Sequence, residues 1–223
     1  MKAKITEIFD SIQGEGIYLG VKQLFVRFYG CNLKCGYCDT KPEKFREYEP
    51  AELVSELKIY GDKYHSVSFT GGEPLLQIDF LKEVLRLTRQ EGFKNYLETN
   101  GTLPDQLEQV IDLLDFVAMD FKFPSSTGLA DFWQQHKSFL RIASRKEVFL
   151  KAIICSATRE DDLMEAIKLL KELRSFSFLV LQPNSLEDGL ELRTKLNSFR
   201  NICSRENIAA CVIPQMHKLI GVM

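Results

Sequence analysis

Short apolar runs of strand length alternate along this chain with longer stretches in which apolar residues recur every three or four positions. The extended segments fall at Ile5–Ser11, Leu24–Tyr29, His65–Thr70, Asn95–Thr99, Phe116–Phe121, Glu147–Ile154, Phe176–Leu181 and Ala209–Ile213. Helical spacing covers Ala51–Ile59, behind Pro50, and Ile78–Glu91, where Phe80, Leu81, Val84, Leu85 and Thr88 share one face and Gly92 closes the end. Further helices are predicted over Pro104–Leu113, Ala130–Ala143, Glu160–Leu173 (Leu163, Ile167 and Leu170 spaced for burial) and Leu190–Glu206.

Strands alternating with helices imply parallel pairing through right-handed crossovers, with ligands at the C-terminal strand ends. The polar and Gly-rich segments sit at those ends. They are the loop after Tyr29, Thr70-Gly71-Gly72-Glu73-Pro74, Glu98-Thr99-Asn100-Gly101, Asp120-Phe121-Lys122, Gln182-Pro183 and Gln215 to Lys218. This placement predicts one site at one mouth of a curved sheet, in a single domain spanning residues 1–223.

Composition narrows the picture. Forty-five per cent hydrophobic and 27% charged residues suit a globular protein. A net charge of −2 gives no electrostatic reason to expect nucleic acid or an anionic membrane. Met1 to Asp10 mixes Lys2, Lys4, Glu7 and Asp10 with apolar residues and lacks the apolar core of a secretory signal, and no stretch reaches membrane-span length. Cys155, Cys203 and Cys211 stand alone in apolar surroundings, whereas Cys31, Cys35 and Cys38 crowd together. Without an export signal, that pattern reads as ligands plus small core residues in a reducing, cytoplasmic setting.

The spacing Cys31-x3-Cys35-x2-Cys38 carries chemistry. Thiolates suit iron–sulfur clusters or zinc. Structural zinc wants four ligands, usually in two pairs, and there is no second pair here. Three thiolates on a tight loop can hold three corners of a four-iron cubane. The fourth iron is then open to a chelating ligand such as the amino and carboxylate groups of a methionine moiety.

The loop, with Tyr37 before its last cysteine, resembles the signature of the radical S-adenosylmethionine superfamily. Thr70 to Pro74 looks like that superfamily's Gly-Gly-Glu element. A closer resemblance is to 7-carboxy-7-deazaguanine synthases. It runs through Ser11-Ile12-Gln13-Gly14-Glu15-Gly16, Gly20, Phe25-Val26-Arg27-Phe28, Gly30 to Leu33, Cys38-Asp39-Thr40, Glu98 to Gly101, Leu181 to Pro183 and Pro214-Gln215-Met216-His217-Lys218.

The resemblance implies an α/β fold, a partial, shortened (β/α)6 barrel with mostly parallel strands, whose N- and C-terminal extensions line the substrate site. It implies conversion of 6-carboxy-5,6,7,8-tetrahydropterin to 7-carboxy-7-deazaguanine with loss of ammonia, on the route to queuosine. The cofactors it implies are a 4Fe–4S cluster on Cys31, Cys35 and Cys38, S-adenosylmethionine and Mg2+, the last on Thr40. It further implies a homodimer and a flavodoxin or ferredoxin as electron donor. A 5′-deoxyadenosyl radical would abstract the hydrogen atom, and the residues acting as general acid and base stay unassigned.

Tyr37, Cys38, Asp39, Gly72, Glu73, Asp120, Phe121, Lys122 and Gln182 map onto S-adenosylmethionine contacts. Ile12, Gln13, Gly14, Glu15, Arg27, Thr70, Glu98, Gln215 and His217 map onto the substrate. Family members often carry Ser-Pro-Lys at Asp120-Phe121-Lys122, so Phe121 reads equally well as core. Arg27 reads as a bidentate carboxylate anchor or as the partner of a surface carboxylate. Asp39 would meet ribose or order its loop. The apolar Leu219 to Met223 suggests a tail that packs back and brings Gln215 and His217 to the site mouth. The rival readings are a glycyl-radical-enzyme activase and a structural zinc protein.

Overall fold

In the computed structural model, which describes residues 1–40, 42–173 and 178–221, the described residues form one nine-stranded sheet with helices packed on one face. The chain runs β1 (Ala3–Ile12), β2 (Lys22–Phe28), β3 (Arg46–Tyr48), α1 (Pro50–Ile59), β4 (Ser66–Gly71), α2 (Ile78–Gln90), β5 (Asn95–Thr99), α3 (Pro104–Glu108) and β6 (Phe116–Phe121). It continues through α4 (Pro124–Thr127), α5 (Trp133–Ala143), β7 (Glu147–Ile154), α6 (Glu160–Glu172), β8 (Leu179–Pro183), α7 (Leu190–Arg205), β9 (Ala210–Val212) and α8 (Met216–Ile220).

The spatial order is β3-β1-β2-β4-β5-β6-β7-β8-β9. From β2 to β9 every pair is parallel, and β1 joins β2 and β3 antiparallel. Strands β2, which reaches its helix by way of β3, and β4 to β8 make the six β/α units of a partial barrel.

Strand alternation divides each strand between two surfaces. Outward residues such as Leu24, Val26, Phe28, Val67, Phe69, Leu97, Leu150 and Leu181 join the helix faces in one buried core. The buried stripe of α2 is Phe80, Leu81, Val84, Leu85 and Thr88, as its spacing predicts. Inward residues Tyr96, Phe116, Ala118, Phe149 and Val180 form a second cluster. Tyr18, from the turn after β1, fills it, its ring centre 5.1 Å from Phe116 and 5.7 Å from Tyr96. The N-terminal half of the barrel is thereby plugged. Further along each strand the inward positions turn polar: Arg27, Thr70, Glu98, Asp120, Lys151 and Gln182 all line a cavity.

Phe121 follows the same rule. It neighbours the inward Asp120, so it points outward, is 1% exposed and packs against Phe123, Trp133 and His136. Its side chain thus takes the core position that the sequence also allowed. Other differences are local. The helix predicted over Pro104–Leu113 stops at Glu108, and a tighter turn spans Ile111–Leu113. Leu107, Val110, Ile111 and Leu114 keep helical spacing, and all four are buried by that break. β8 runs on to Pro183, while Phe176 and Ser177 of the predicted strand lie outside the described residues. Leu219 and Ile220 are exposed rather than packed back, and Val222 and Met223 lie outside the described residues.

Replacing Phe121 by Ala leaves a cavity among rings and is expected to cost about 3–5 kcal/mol. Phe121→Leu should lose less. Chemical denaturation of the two variants checks this.

Candidate active site

The cysteine loop leaves β2 through Gly30, whose φ of 92° suits glycine. Cys31, Cys35 and Cys38 carry free thiols, and all three line the cavity. The loop is braced from outside. Gly36 N–H donates to the Thr127 carbonyl at 2.8 Å, and Asn32 joins Asn100 (2.8 Å) and Thr102 (2.9 Å). Burial pushes the Cys31 and Cys35 thiols up. Among the described residues no three His, Cys, Asp or Glu side chains converge as ligands of one metal ion. A cubane does not ask for that convergence, because each thiolate takes a different iron. Cys155, Cys203 and Cys211 line no part of the cavity.

The end of β4 locks onto this loop. Glu73 N–H donates to the Gly30 carbonyl at 2.9 Å, and Gly72 N–H to the Phe28 carbonyl at 3.0 Å. A Cβ on Gly72 would overlap the Gly30 carbonyl. Gly72 therefore lines the cavity because nothing larger fits. Glu73 does not line it. Its fully buried carboxylate accepts from Thr99 Oγ1 (3.0 Å), Asn100 N (2.8 Å) and Leu75 N (3.1 Å). Burial pushes its carboxyl up to about 7 against those donors. Glu73 is a brace between the β4 and β5 ends, not a wall of the cavity.

Gln13 Nε2 donates to Gln23 (2.9 Å) and to Glu98 (2.8 Å). Glu98 also accepts from Thr70 Oγ1 (2.9 Å) and Ser68 Oγ (3.2 Å). Its charge is thus met by neutral donors. Arg27 pairs through Nε with Glu7 and lies 5.6 Å from the Phe9 ring. Its terminal nitrogens have no protein partner among the described residues, so the surface-carboxylate pairing leaves the rest of the fork unused.

A charged row crosses the floor. Asp120 takes Lys122 on one oxygen (2.9 Å) and Lys151 on the other (3.3 Å), and Lys151 also pairs with Glu15. Burial opposes both ammonium groups, yet Asp120 next to Lys122, and Asp120, Glu15 and Glu98 around Lys151, push both upward. Burial would raise the Glu15 carboxyl, but Lys151, Gln215 and His217 bring it down to about 2. One group is left over: Gln182 is fully buried, and neither of its side-chain atoms is hydrogen-bonded among the described residues.

The C-terminal tail closes one side. Met216 N–H donates to the Gly14 carbonyl (2.9 Å), and Gln215 Nε2 to Glu15 (2.6 Å). His217 lies against Gly14, where any Cβ would meet its ring. Lys218 holds Asp39 of the cysteine loop and Ser185 Oγ (2.6 Å). Ile12, Thr40, Asp39, Gln215 and His217 all line the same cavity, of about 410 Å³. It collects every site residue expected from the sequence except Glu73 and Phe121. Lys151, Asn184 and Ser185 line it without having been singled out. For Lys151 the signal was present, a lysine in the middle of an apolar strand.

Residues 25–196 match the model of the radical SAM superfamily. A 7-carboxy-7-deazaguanine synthase of Archaeoglobus fulgidus is 37% identical, with all of both chains covered. One of Geobacter sulfurreducens is 33% identical over 98% of this chain and 97% of the relative. The chain belongs to the 7-carboxy-7-deazaguanine synthase family of radical SAM enzymes. The crystal structure of QueE from Escherichia coli superposes with a TM-score of 0.67 at 21% identity, over 95% of this chain and 94% of that one, and so shares its fold.

The family's enzymes use a 4Fe–4S cluster and S-adenosylmethionine, and the residues here fit both. Three free thiols line one rim, Gly72 leaves backbone room beside them, and Gln182 offers unmet hydrogen-bonding groups. Gly72→Ala should displace the Gly30–Cys31 backbone. Iron and sulfide bound per chain after anaerobic reconstitution are expected to fall at least about twofold, while the helical content by circular dichroism stays unchanged.

Proposed function

We propose that this chain converts 6-carboxy-5,6,7,8-tetrahydropterin to 7-carboxy-7-deazaguanine, with loss of ammonia, in the biosynthesis of queuosine and related deazapurines. One observation carries the reading. A carboxylate held by neutral donors, Glu98, lines the same cavity as a partly free guanidinium, Arg27, and the three thiols. A pterin presents N–H groups along one edge and, in this substrate, a carboxylate. Glu98 accepts from the ring N–H groups, with Ile12, Gln13, Gly14, Glu15 and Thr70 reading the rest of the edge. Arg27 binds the carboxylate through its terminal nitrogens. Gln13 to Glu15 and Gln215 to Lys218 lie outside the superfamily match at residues 25–196. That location suits a role in specificity: a common core domain with both terminal extensions lining the substrate side.

When bound, the reduced cluster and S-adenosylmethionine supply a carbon radical able to take a hydrogen atom from an unactivated C–H bond. Tyr37, Asp39, Gly72, Asp120, Lys122 and Gln182 would hold the adenosyl and methionine parts. Thr40, whose hydroxyl now donates to Asp39 at 3.2 Å, would ligate Mg2+ together with substrate oxygens. Substrate and product differ by one ammonia and no electrons, so the chain has to manage protons rather than a net redox change. The tail and the Tyr18 plug limit water entry from two sides. A homodimer, a flavodoxin or ferredoxin donor and a cytoplasmic setting complete the reading. Among the described residues no helix is long and apolar enough to cross a membrane.

The test is anaerobic turnover with reductant, S-adenosylmethionine, Mg2+ and carboxytetrahydropterin. Formation of 7-carboxy-7-deazaguanine is expected, and an intact cluster without that product overturns the assignment. Arg27→Met should remove a charged contact of about 1.5–3 kcal/mol, raising KM for the pterin roughly 10–150-fold. Thr40→Ala should move the Mg2+ half-saturation point upward without changing iron content.

A further inference from the structure

Lys151 is the odd residue of β7. Its inward neighbours are Phe149 and Ile153, one in the aromatic plug and one on the cavity wall. It stands directly across from Asp120 in the parallel register of β6 and β7. Its ammonium reaches past Asp120 to Glu15, in the turn after β1. Lys151, Glu15 and Asp120 have side chains only 10%, 16% and 19% exposed.

We propose that Lys151 is a positioning residue for substrate: its ammonium clamps the Gln13–Glu15 turn to the Asp120 end of β6, setting the substrate-reading segment against the cofactor side of the cavity. Naming the substrate rests on the function proposed above. The clamp itself rests on the geometry.

The wiring supports this. Lys122 already occupies the second oxygen of Asp120, so Lys151 is not needed to satisfy that carboxylate. Among the described residues Lys151 is the one cation paired with Glu15. Glu15 in turn takes Gln215 on its other oxygen, and its backbone N–H donates to Gln13 Oε1 at 3.0 Å. Gln13 then reaches Glu98. One ammonium therefore anchors, through Glu15, both the substrate-reading turn and the returning tail.

Removing one partner of a buried ion pair leaves the other charged and unpaired. Glu15 interacts with His217 from α8, Asp39 from the cysteine loop and Tyr96 from β5, and around the shared Lys151 lie Asp120 from β6 and Glu98 from β5. Apart from Lys151, only His217 among these can carry positive charge. Without Lys151, burial and the neighbouring carboxylates push the Glu15 carboxyl up. At high pH it is ionised, repelled and driven from its place. At low pH it is neutral and can stay. The wild-type carboxyl remains ionised and seated across the neutral range.

The test compares Lys151→Met, Lys151→Arg, Glu15→Gln and the double variant Glu15→Gln/Lys151→Met as anaerobic, cluster-loaded proteins. Pterin affinity is measured by equilibrium binding with S-adenosylmethionine present, across pH. The Glu15 titration is followed by NMR of protein labelled with [5-13C]glutamate, its signal identified by its loss in Glu15→Gln. Lys151→Met should weaken binding at least about tenfold at alkaline pH, with recovery as pH falls, and should raise the Glu15 midpoint. Lys151→Arg should restore both readings to within about threefold of wild type. The double variant should bind no worse than Glu15→Gln alone, the non-additivity expected of a residue acting through its neighbour. Lys151→Gln replaces the Met variant should that one not fold. An unmoved Glu15 midpoint, unchanged affinity, or a loss that is independent of pH and of Glu15 overturns the clamp. If the wild-type protein binds no carboxytetrahydropterin, the functional reading falls, and the NMR midpoints still decide the clamp.

Discussion

Every parallel strand in this sheet serves two surfaces, and the strict alternation of side chains ties one to the other. Outward positions are mostly apolar, because helices cover them, and an exception such as Asn95 is fully hydrogen-bonded against α2. Inward positions are free to change character. On β5 they go from Tyr96 to Glu98, on β6 from Phe116 to Asp120 and on β7 from Phe149 to Lys151. The aromatic half closes the barrel from below and the polar half becomes a site. A slip of one residue in any strand would bury its charged residue among helices and expose a core residue to the cavity. The depth of the outward core, with Val67, Phe69, Leu97, Val117 and Leu150 fully buried, is therefore what fixes the aim of the polar groups.

The cysteine loop depends on that aim being held at one more point. It is long, its thiols are partly exposed, and little apolar surface anchors it. Its backbone is fastened instead by Gly72 and Glu73, through the Phe28 and Gly30 carbonyls. Glu73 transmits the constraint to β5, where Asn100 passes it back to Asn32. A buried carboxylate used in this way costs desolvation, and its raised pKa is the sign of that cost. What the arrangement secures is a fixed distance between the thiol rim and two strand ends.

Much of this was legible in the sequence. Three inner strands were bounded to the residue, Asn95–Thr99, Phe116–Phe121 and Glu147–Ile154, because turn residues and buried runs agree there. The strand-end motifs converge on one cavity because parallel topology leaves them nowhere else to go. Three short elements escaped. β3, α4 and α8 span three to five residues, too few for a period to register. The side chains of Glu73 and Phe121 turn away from the cavity because a motif names positions, whereas orientation depends on strand parity and on which backbone donors lie nearby. Lys151 was passed over because its strand already had a satisfactory role as core.

The charge balance inside the cavity is the remaining constraint on what can bind there. Arg27 is offset by Glu7. Lys122 and Lys151 offset Asp120 and Glu15. Among the described residues Glu98 is hydrogen-bonded by Gln13, Ser68 and Thr70, and it lies near Lys151, whose ammonium is already held by Glu15 and Asp120. A half-buried carboxylate held by neutral donors can still accept from N–H groups of a ligand. A purely anionic ligand would meet Arg27 with advantage and Glu98 with penalty, so it gains little. A ligand with a carboxylate at one end and a row of ring N–H groups at the other satisfies both together. On the function proposed above, that pairing of opposite demands across one cavity would favour a carboxylated pterin over a simple acid.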